Sequence, residues 1–134
     1  MPNSLSYKVG AIPDTAAIIR LYRSAGLQRP IQDAARITTM YAHANLVISA
    51  WDGPRLVGIS RSLTDFAYCC YLADLAVAES HQRRGIGRQL IALTQEQIGE
   101  QCMLLLLAAP GAMPYYPKLG FDVVSNGFIR PRKR

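Results

Sequence analysis

The chain has few cysteines, few charged residues and no long apolar run. Its 134 residues include three cysteines, an odd number without the spacing of a zinc site, so neither a disulfide framework nor a bound metal is expected. No apolar stretch reaches the roughly 18 residues that a membrane-spanning helix needs. Charged residues make up 18% and hydrophobic residues 50%, a balance typical of a folded chain rather than a disordered one.

The start of the chain has no targeting signal. Residues 1–4 contain neither a basic region nor an apolar signal core, which predicts that the protein is not exported. Together with the expectation of reduced thiols, this predicts a cytoplasmic protein. No internal repeat, linker or low-complexity segment interrupts the sequence. Residues 1–134 are therefore predicted to form one domain, long enough to bury a sizeable core.

The positive charge is concentrated at one end. Lys and Arg number 15 against 9 Asp and Glu, for a net charge of +6, and residues 130–134 hold four of the positive charges. The rest of the chain is only slightly basic, which disfavours a nucleic-acid-binding module. Three interpretations of the basic tail remain open: a solvated end, an arm for an acidic partner, or an aid to binding an anionic cofactor.

Hydrophobic periodicity predicts an α/β domain around a mixed sheet. The predicted order is β-α-α-β-β-β-α-β-α-β-β. Strands are predicted at residues 7–9, 46–51, 56–60, 68–78, 102–108, 121–124 and 128–129. Helices are predicted at residues 14–25, 32–43, after Gly85, and in a short segment that ends at Gly120. The Asp52-Gly53-Pro54 sequence predicts a hairpin-like turn between two of the strands.

One segment is typical of a phosphate-binding turn. The apolar strand end Leu75, Ala76 and Val77 is followed by the sequence Gln82-Arg83-Arg84-Gly85-Ile86-Gly87-Arg88, which opens an amphipathic helix. The N–H groups at a helix start have no intrahelical partner, and the helix dipole adds positive charge there. Glycine lets the backbone approach a ligand closely, and the arginines add fixed charge. The alternative is a tight strand-to-helix turn with solvated arginines.

With these motifs in place, the chain resembles the GCN5-related N-acetyltransferase (GNAT) superfamily over essentially its whole length. Residues 82–87 match the acetyl-coenzyme A signature R/Q-x-x-G-x-G/A of that family. Residues 115–121, Tyr-Tyr-Pro-Lys-Leu-Gly-Phe, resemble its F-Y-x-x-x-G-F segment. Two departures stand out. Glu79 replaces a frequent proline, and Pro117 follows Tyr116, which predicts an extended or kinked backbone at Tyr116.

The resemblance implies acetyl-coenzyme A as cosubstrate and assigns its binding residues. The pyrophosphate would lie on the backbone around Arg84, Gly85 and Gly87, and the pantetheine arm would pair with the fourth strand. A bulge in that strand opens the cleft in this family, and an N–H near Val77 would polarise the thioester carbonyl. The full predicted set is Leu75, Ala76, Val77, Gln82, Arg83, Arg84, Gly85, Ile86, Gly87 and Arg88.

Tyr116 and Asp74 are the predicted catalytic residues. The Tyr116 phenol matches the family tyrosine and would protonate the coenzyme A thiolate; the alternative is a packing aromatic, which is also the expectation for Tyr115. Asp74 is open to three interpretations: a base acting through water, an anchor for the substrate amine, or an ion-pair partner. His81 is expected to be structural or solvent-facing.

The predicted function is acetyl transfer to a primary amine of a small metabolite or peptide. A non-catalytic acyl-coenzyme A-binding or regulatory module is the alternative. The resemblance places the acceptor pocket near residues 27–29, 66–68 and Phe128, which hold few acids and so disfavour a polyamine. Dimers are common in the family, which makes a homodimer compatible with the resemblance.

Overall fold

The computed structural model describes residues 5–134, which form an α/β fold with one five-stranded mixed sheet. The strands are β1 Leu5–Val9, β2 Leu46–Asp52, β3 Arg55–Thr64, β4 Cys69–Val77 and β5 Met103–Leu105. The helices are α1 Thr15–Ala25, α2 Ala34–Ala42 and α3 Ile86–Ile98, and short 3-10 helices cover Glu79–His81, Pro110–Ala112 and Tyr116–Leu119. The predicted α/β class with a mixed sheet is confirmed.

The sheet follows the chain order β1-β2-β3-β4-β5. The first four strands pair antiparallel, and β5 joins β4 in parallel. Asp52 pairs with Arg55 across the β2–β3 turn, where Gly53 has a φ of 60°. That left-handed conformation suits glycine, so the predicted hairpin turn is confirmed.

Helices cover both faces of the sheet. Helix α1 buries Ile18, Leu21 and Tyr22 and ends at Gly26, which adopts the left-handed conformation of a helix C-cap. It packs with α2 on the face of β3 and β4 that carries Arg61 and Asp74. Helix α3 packs on the opposite face. A β-carbon at Gly58 would lie 2.8 Å from Ile86 Cγ2 and 3.3 Å from Leu90 Cδ1, so this glycine lets the start of α3 seat closely on the sheet.

Strand β4 carries a bulge at the point where it leaves β5. Asp74 pairs with Arg61 and Leu72 with Ser62, so Ala73 is an extra residue opposite β3. On its other edge, β4 pairs with β5 only from Cys69 to Tyr71. The two parallel strands therefore separate beyond the bulge, which leaves the edge of β4 at Leu75, Ala76 and Val77 without a neighbouring strand in the described part of the chain.

One prediction for the C-terminal region is confirmed and another is wrong. The short helix ending at Gly120 is present as the 3-10 helix Tyr116–Leu119, with Gly120 as its left-handed C-cap. Pro110, Pro114 and Pro117 prevent a longer α-helix in this segment. Residues 121–134 contain no strand, although residues 121–124 and 128–129 were predicted as a final pair. Strand β5 has only three residues, and Val123, Phe128 and Ile129 are highly exposed, so their apolar side chains gain no packing from a ladder.

Candidate active site

The first of two clefts lies between the open edge of β4 and the start of α3. It has a volume of about 700 Å³, within the range of small-molecule sites. The C-terminal end of α1 and the 3-10 segments after β5 close its sides. Its wall includes all the predicted cofactor-binding residues except Arg84, namely Leu75, Ala76, Val77, Gln82, Arg83, Gly85, Ile86, Gly87 and Arg88.

The backbone at the start of α3 forms a concave surface of N–H groups. Arg83 has a φ of 66° and Gly85 a φ of 81°, whereas Arg84 between them is not left-handed. Alternation of backbone handedness turns successive N–H groups toward one side, a geometry that binds anions. The N–H of Gln89 makes the first helical hydrogen bond, to the carbonyl of Gly85. The preceding amides of Ile86, Gly87 and Arg88 therefore stand at the positive end of the helix dipole.

The open edge of β4 offers peptide groups for pairing. The Ala73 carbonyl accepts a hydrogen bond from Arg29 Nη2 at 2.9 Å, and the Val77 carbonyl accepts one from Gln82 Nε2 at 3.0 Å. Both carbonyls thus point away from β3. Since alternate residues of a strand share a direction, the N–H and C=O of Leu75 point to the same open edge. Gln82 therefore contributes by closing the end of β4 as well as by lining the cleft.

Two tyrosines enter the first cleft. Tyr116 is half-buried, and its ring makes edge contacts with Tyr115 and Phe121 at centroid distances of 5.1 and 5.6 Å. Burial and the neighbouring Tyr115 raise the pKa of Tyr116 above its usual value, which keeps the phenol protonated. Of the two alternatives predicted for the backbone at Tyr116, extended or kinked, the extended one is wrong, because Tyr116 begins a 3-10 helix that accommodates Pro117 in its first turn.

Tyr115 lies in the cleft rather than in the core. It is 39% exposed, and its hydroxyl would lie 2.8 Å from a β-carbon at Gly87. The expected packing role for Tyr115 is therefore wrong. Its phenol contacts the start of α3, beside the amides that form the concave backbone surface.

A second cleft adjoins the first along β4. Its volume is about 720 Å³, and Leu27 lines both clefts. The bulge at Ala73 forms part of its wall, together with residues from the loop after α1, from α2 and from the tail. The lining residues include Gln28, Arg29, Arg36, Arg61, Asp74 and Arg132. Of the neighbourhoods predicted to form the acceptor pocket, residues 27–29 line this cleft, whereas residues 66–68 and Phe128 line neither.

Asp74 is fully buried and bonded on both carboxylate oxygens. Arg29 Nε donates to Oδ1 at 2.6 Å, and Arg61 Nε donates to Oδ2 at 2.7 Å. Tyr22 Oη donates to Oδ2 at 2.7 Å and also hydrogen-bonds with Tyr41 Oη. Burial alone would raise the pKa of Asp74, but the hydrogen bond and charge of Arg61, with Tyr22 and Arg29, hold it below its usual value.

This network bears on the three interpretations of Asp74. A carboxylate with a lowered pKa and two arginine partners is a weak proton acceptor, and its oxygens have little capacity left for a substrate amine. The contacts are those of an ion-pair partner. The catalytic role of Asp74 stays a prediction, and its observed position is beneath the second cleft, next to the bulge.

His81 is structural, as expected. It is 6% exposed, its Nε2 lies 2.8 Å from Asp52 Oδ2, and its Nδ1 lies 2.7 Å from Ser80 Oγ. These contacts fix the 3-10 turn between β4 and the concave backbone surface. In residues 5–134, no three His, Cys, Asp or Glu side chains group so as to hold a metal ion. None of the helices described is long and apolar enough to cross a membrane.

The family model for the acetyltransferase (GNAT) domain matches residues 22–131 of the chain. This match covers the bulge, the start of α3 and all lining residues of the two clefts except Arg132. The chain belongs to the GNAT family. The family assignment confirms the predicted resemblance and the prediction of an enzyme of the acyltransferase class.

Solved GNAT structures share the fold. A probable acetyltransferase from meticillin-resistant Staphylococcus aureus superposes with a TM-score of 0.77 at 24% identity, over 95% of this chain and 100% of the other. A GNAT-family acetyltransferase from Streptococcus pneumoniae gives a TM-score of 0.73 at 23% identity, over 97% and 99%. An aminoglycoside acetyltransferase from an uncultured soil metagenomic sample gives 0.74 at 23%, over 98% of each chain. The comparison with curated sequences returned no match.

The GNAT motifs do not identify every residue of the clefts. Tyr22, Tyr41 and Arg61 lie on α1, α2 and β3, and no spacing in the sequence links them to Asp74. Only the packing of three elements onto the bulged strand brings them together. Tyr115 could have been found from its place beside Tyr116 in the second motif, because both side chains line the first cleft.

Proposed function

We propose that the protein is an acetyl-coenzyme A-dependent N-acetyltransferase that acts on a primary amine of a small metabolite or peptide. One observation carries the proposal: the strand edge opened by the Ala73 bulge leads directly to the concave backbone surface at the start of α3, within one cleft. A cosubstrate with an extended arm and a diphosphate needs both features side by side.

The diphosphate of acetyl-coenzyme A fits the start of α3. The amides of Ile86, Gly87 and Arg88 would donate to its oxygens, and the dipole of α3 favours the negative charge. Arg83 and Arg88 line the cleft and add fixed positive charge. Arg84, also predicted to bind the cosubstrate, is exposed outside the cleft wall and would act through its backbone N–H in the concave surface.

The pantetheine arm would extend the sheet. Leu75 presents its C=O and Val77 its N–H at the open edge, where the amides of the arm can pair as a neighbouring strand would. The N–H of Leu75, on the same edge and nearer the bulge, would donate to the thioester carbonyl and stabilise the negative charge that develops there. Such pairing places the acetyl group near the bulge, where the two clefts meet.

Two proton transfers complete the reaction. The acceptor amine must be neutral to attack, and the leaving thiolate must be protonated. Tyr116 is the proposed donor to the thiolate, since its phenol lines the first cleft and stays protonated. Asp74 is proposed to act indirectly, by holding Arg29 and Arg61 at the bulge. The neutral amine forms the new C–N bond, its nitrogen then loses a proton to water, and the C–S bond breaks as Tyr116 protonates the sulfur.

An acceptor screen tests the proposal. The full chain is incubated with acetyl-coenzyme A and a panel of amines, amino acids and lysine peptides, and free thiol is followed over time. We expect thiol release that depends on one class of amine, with the acetylated amine identified by mass spectrometry. Tight cosubstrate binding without transfer to any amine would instead support the acyl-coenzyme A-binding module.

Replacing Tyr116 with phenylalanine is expected to lower kcat by about a hundredfold, the lower end of the range for general acid catalysis. The affinity for acetyl-coenzyme A, measured by calorimetry, should change little because the ring and its contacts with Tyr115 and Phe121 remain. Tyr68→Phe, at a phenol 76% exposed and outside both clefts, is the matched control. Equal kcat in Tyr116→Phe and the control would remove Tyr116 from the mechanism.

We further propose one GNAT domain over residues 1–134 and a cytoplasmic location. Cys69, Cys70 and Cys102 are all unpaired, which supports the expectation of reduced thiols. A homodimer stays a prediction, to be checked by light scattering.

A further inference from the structure

The second cleft is strongly basic. Arg29, Arg36, Arg61 and Arg132 line it, and its one carboxylate, Asp74, is already bonded to two of them. We propose that the acceptor, given the proposed acetyl transfer, is a small amine that also carries an oxyanion, a carboxylate or a phosphate, bound by these arginines. A polyamine would instead meet uncompensated positive charge.

Arg61 is the anchor for this oxyanion. Its Nε is held by Asp74, and its guanidinium lies over the Tyr41 ring, 5.8 Å from the ring centroid. The side chain is 12% exposed, and its two terminal nitrogens donate to no group among residues 5–134 as described. Arg61 lines the second cleft, and its terminal nitrogens are not fully buried, so they are accessible to a ligand there. A fixed guanidinium with two free donors matches a bidentate oxyanion.

Arg29 has a different role. Its Nε bonds Asp74, its Nη1 donates to the Gln28 carbonyl at 2.6 Å, and its Nη2 donates to the Ala73 carbonyl. Every nitrogen of Arg29 is thus engaged within the protein. Arg29 fixes the bulge and adds positive charge to the cleft, but Arg61 offers the free donors.

The basic tail forms part of the same cleft. Arg132 lines it, and Arg36 Nη2 donates to the main-chain oxygen of Arg134 at 3.2 Å. Of the three interpretations of the tail, a contribution to anion binding agrees best with this position, although the anion here belongs to the acceptor. Because the two clefts adjoin at Leu27 and at the bulge, an oxyanion on Arg61 would hold a nearby amine toward the acetyl group.

The cleft volume favours a small molecule over a protein segment. About 720 Å³ lies within the roughly 300–1,000 Å³ of small-molecule sites. Carboxylates and phosphates both accept a bidentate pair of hydrogen bonds from a guanidinium, so the experiment includes both kinds of compound.

The test uses pairs of amines that differ only in charge. α-Amino acids are compared with their carboxamides, which lack the oxyanion. Aminoalkyl phosphonates are the second group of anionic test compounds, and a diamine is the cationic one. Binding to the protein loaded with coenzyme A is measured by calorimetry, and thiol release is measured separately with acetyl-coenzyme A. We expect at least one oxyanion-bearing amine to bind about tenfold or more tightly than an amine without the oxyanion, such as the matched carboxamide.

Variants test the anchor. Arg61→Lys keeps a positive charge beside Asp74 but removes the paired N–H donors of the planar guanidinium. This variant should bind the oxyanion about tenfold or more weakly. The exposed pair Arg36→Gln with Arg132→Gln leaves the buried network intact and should also weaken binding, more so at low salt. Arg20→Gln, exposed on α1 and outside both clefts, should leave binding unchanged.

The outcomes separate this inference from the proposed function. Carboxamides or diamines that bind as tightly as the anionic amines would overturn oxyanion recognition, even if they are acetylated. Oxyanion binding that depends on Arg61 or on the Arg36 and Arg132 pair, but without thiol release, would support recognition and refute the transferase. A preference for the phosphonate over the carboxylate supports recognition and identifies the source of the oxyanion as a phosphate.

Discussion

Replacing Gly87 with glutamate is expected to abolish binding of acetyl-coenzyme A while leaving the fold intact. The substitution places a carboxylate among the amides that would hold the diphosphate, and like charges at such a contact cost several kcal/mol, which weakens binding about a hundredfold or more. The fold should tolerate the change, since Gly87 is not left-handed and the nearest atom to a new β-carbon is the Tyr115 hydroxyl, the end of a movable side chain. Glutamate in a first helical turn also stabilises the helix itself.

The matched control is Gly127→Glu, which makes the same charge change where no atom lies within 4 Å of a new β-carbon. Calorimetry should show full affinity for this control and none for Gly87→Glu, with equal thermal unfolding midpoints. A second pair separates steric from electrostatic effects. Gly87→Ala should weaken binding modestly by displacing the Tyr115 hydroxyl, and adding Tyr115→Phe should restore part of it. Unchanged affinity in Gly87→Glu would refute the assignment of the diphosphate site.

Local patterns predicted much of this fold. The hairpin turn at Gly53, the C-cap at Gly26 and the helix opening at Gly85 each depend on residues close in sequence. Such turns need the backbone conformations that glycine supplies at low cost, and this preference is visible without the fold. The ten predicted cofactor-binding residues lie close to Gly85 in the sequence, and all but Arg84 line one cleft.

The prediction of two final strands was wrong for a reason that lies outside their own sequence. Phe121, Val123, Phe128 and Ile129 have the composition of strands, but a strand is stable only with a partner. Strand β5, the edge strand of the sheet that is nearest to them in the sequence, has only three residues. Whether an edge is long enough to pair is set by the packing of the whole sheet, which periodicity in one segment does not report.

The second cleft was only partly predictable for the same reason. The sequence around Asp74 indicates a buried strand with one acid, which left its role open among three alternatives. Arg29 and Arg61 come from a loop and from a neighbouring strand, 45 and 13 residues away along the chain. Their convergence depends on the register of β3 against β4 and on the bulge at Ala73, and neither feature has a local sequence signal here.

Asp74→Asn is expected to destabilise the protein by about 3–5 kcal/mol, the usual cost of removing one partner from a buried ion pair. Asparagine keeps the shape and one acceptor oxygen, but it leaves the Arg61 guanidinium, 12% exposed, without a counter-charge. Tyr22 Oη would also lose its charged acceptor. Urea unfolding measures the difference. Asp122→Asn, at an exposed carboxylate, is the control and should unfold at the wild-type midpoint.

The pH dependence of this loss identifies its cause. The pKa of Asp74 in the folded protein lies below its usual value, near 3.9 for an unfolded aspartate, so the ion pair stabilises the fold fully above about pH 4. As the pH falls through the folded pKa, Asp74 becomes protonated and this stabilisation disappears. The gap between wild type and Asp74→Asn should therefore be constant near neutral pH and narrow below about pH 4. A gap that stays the same down to strongly acidic pH would show that packing, and not the charge of Asp74, stabilises the bulge on which both clefts depend.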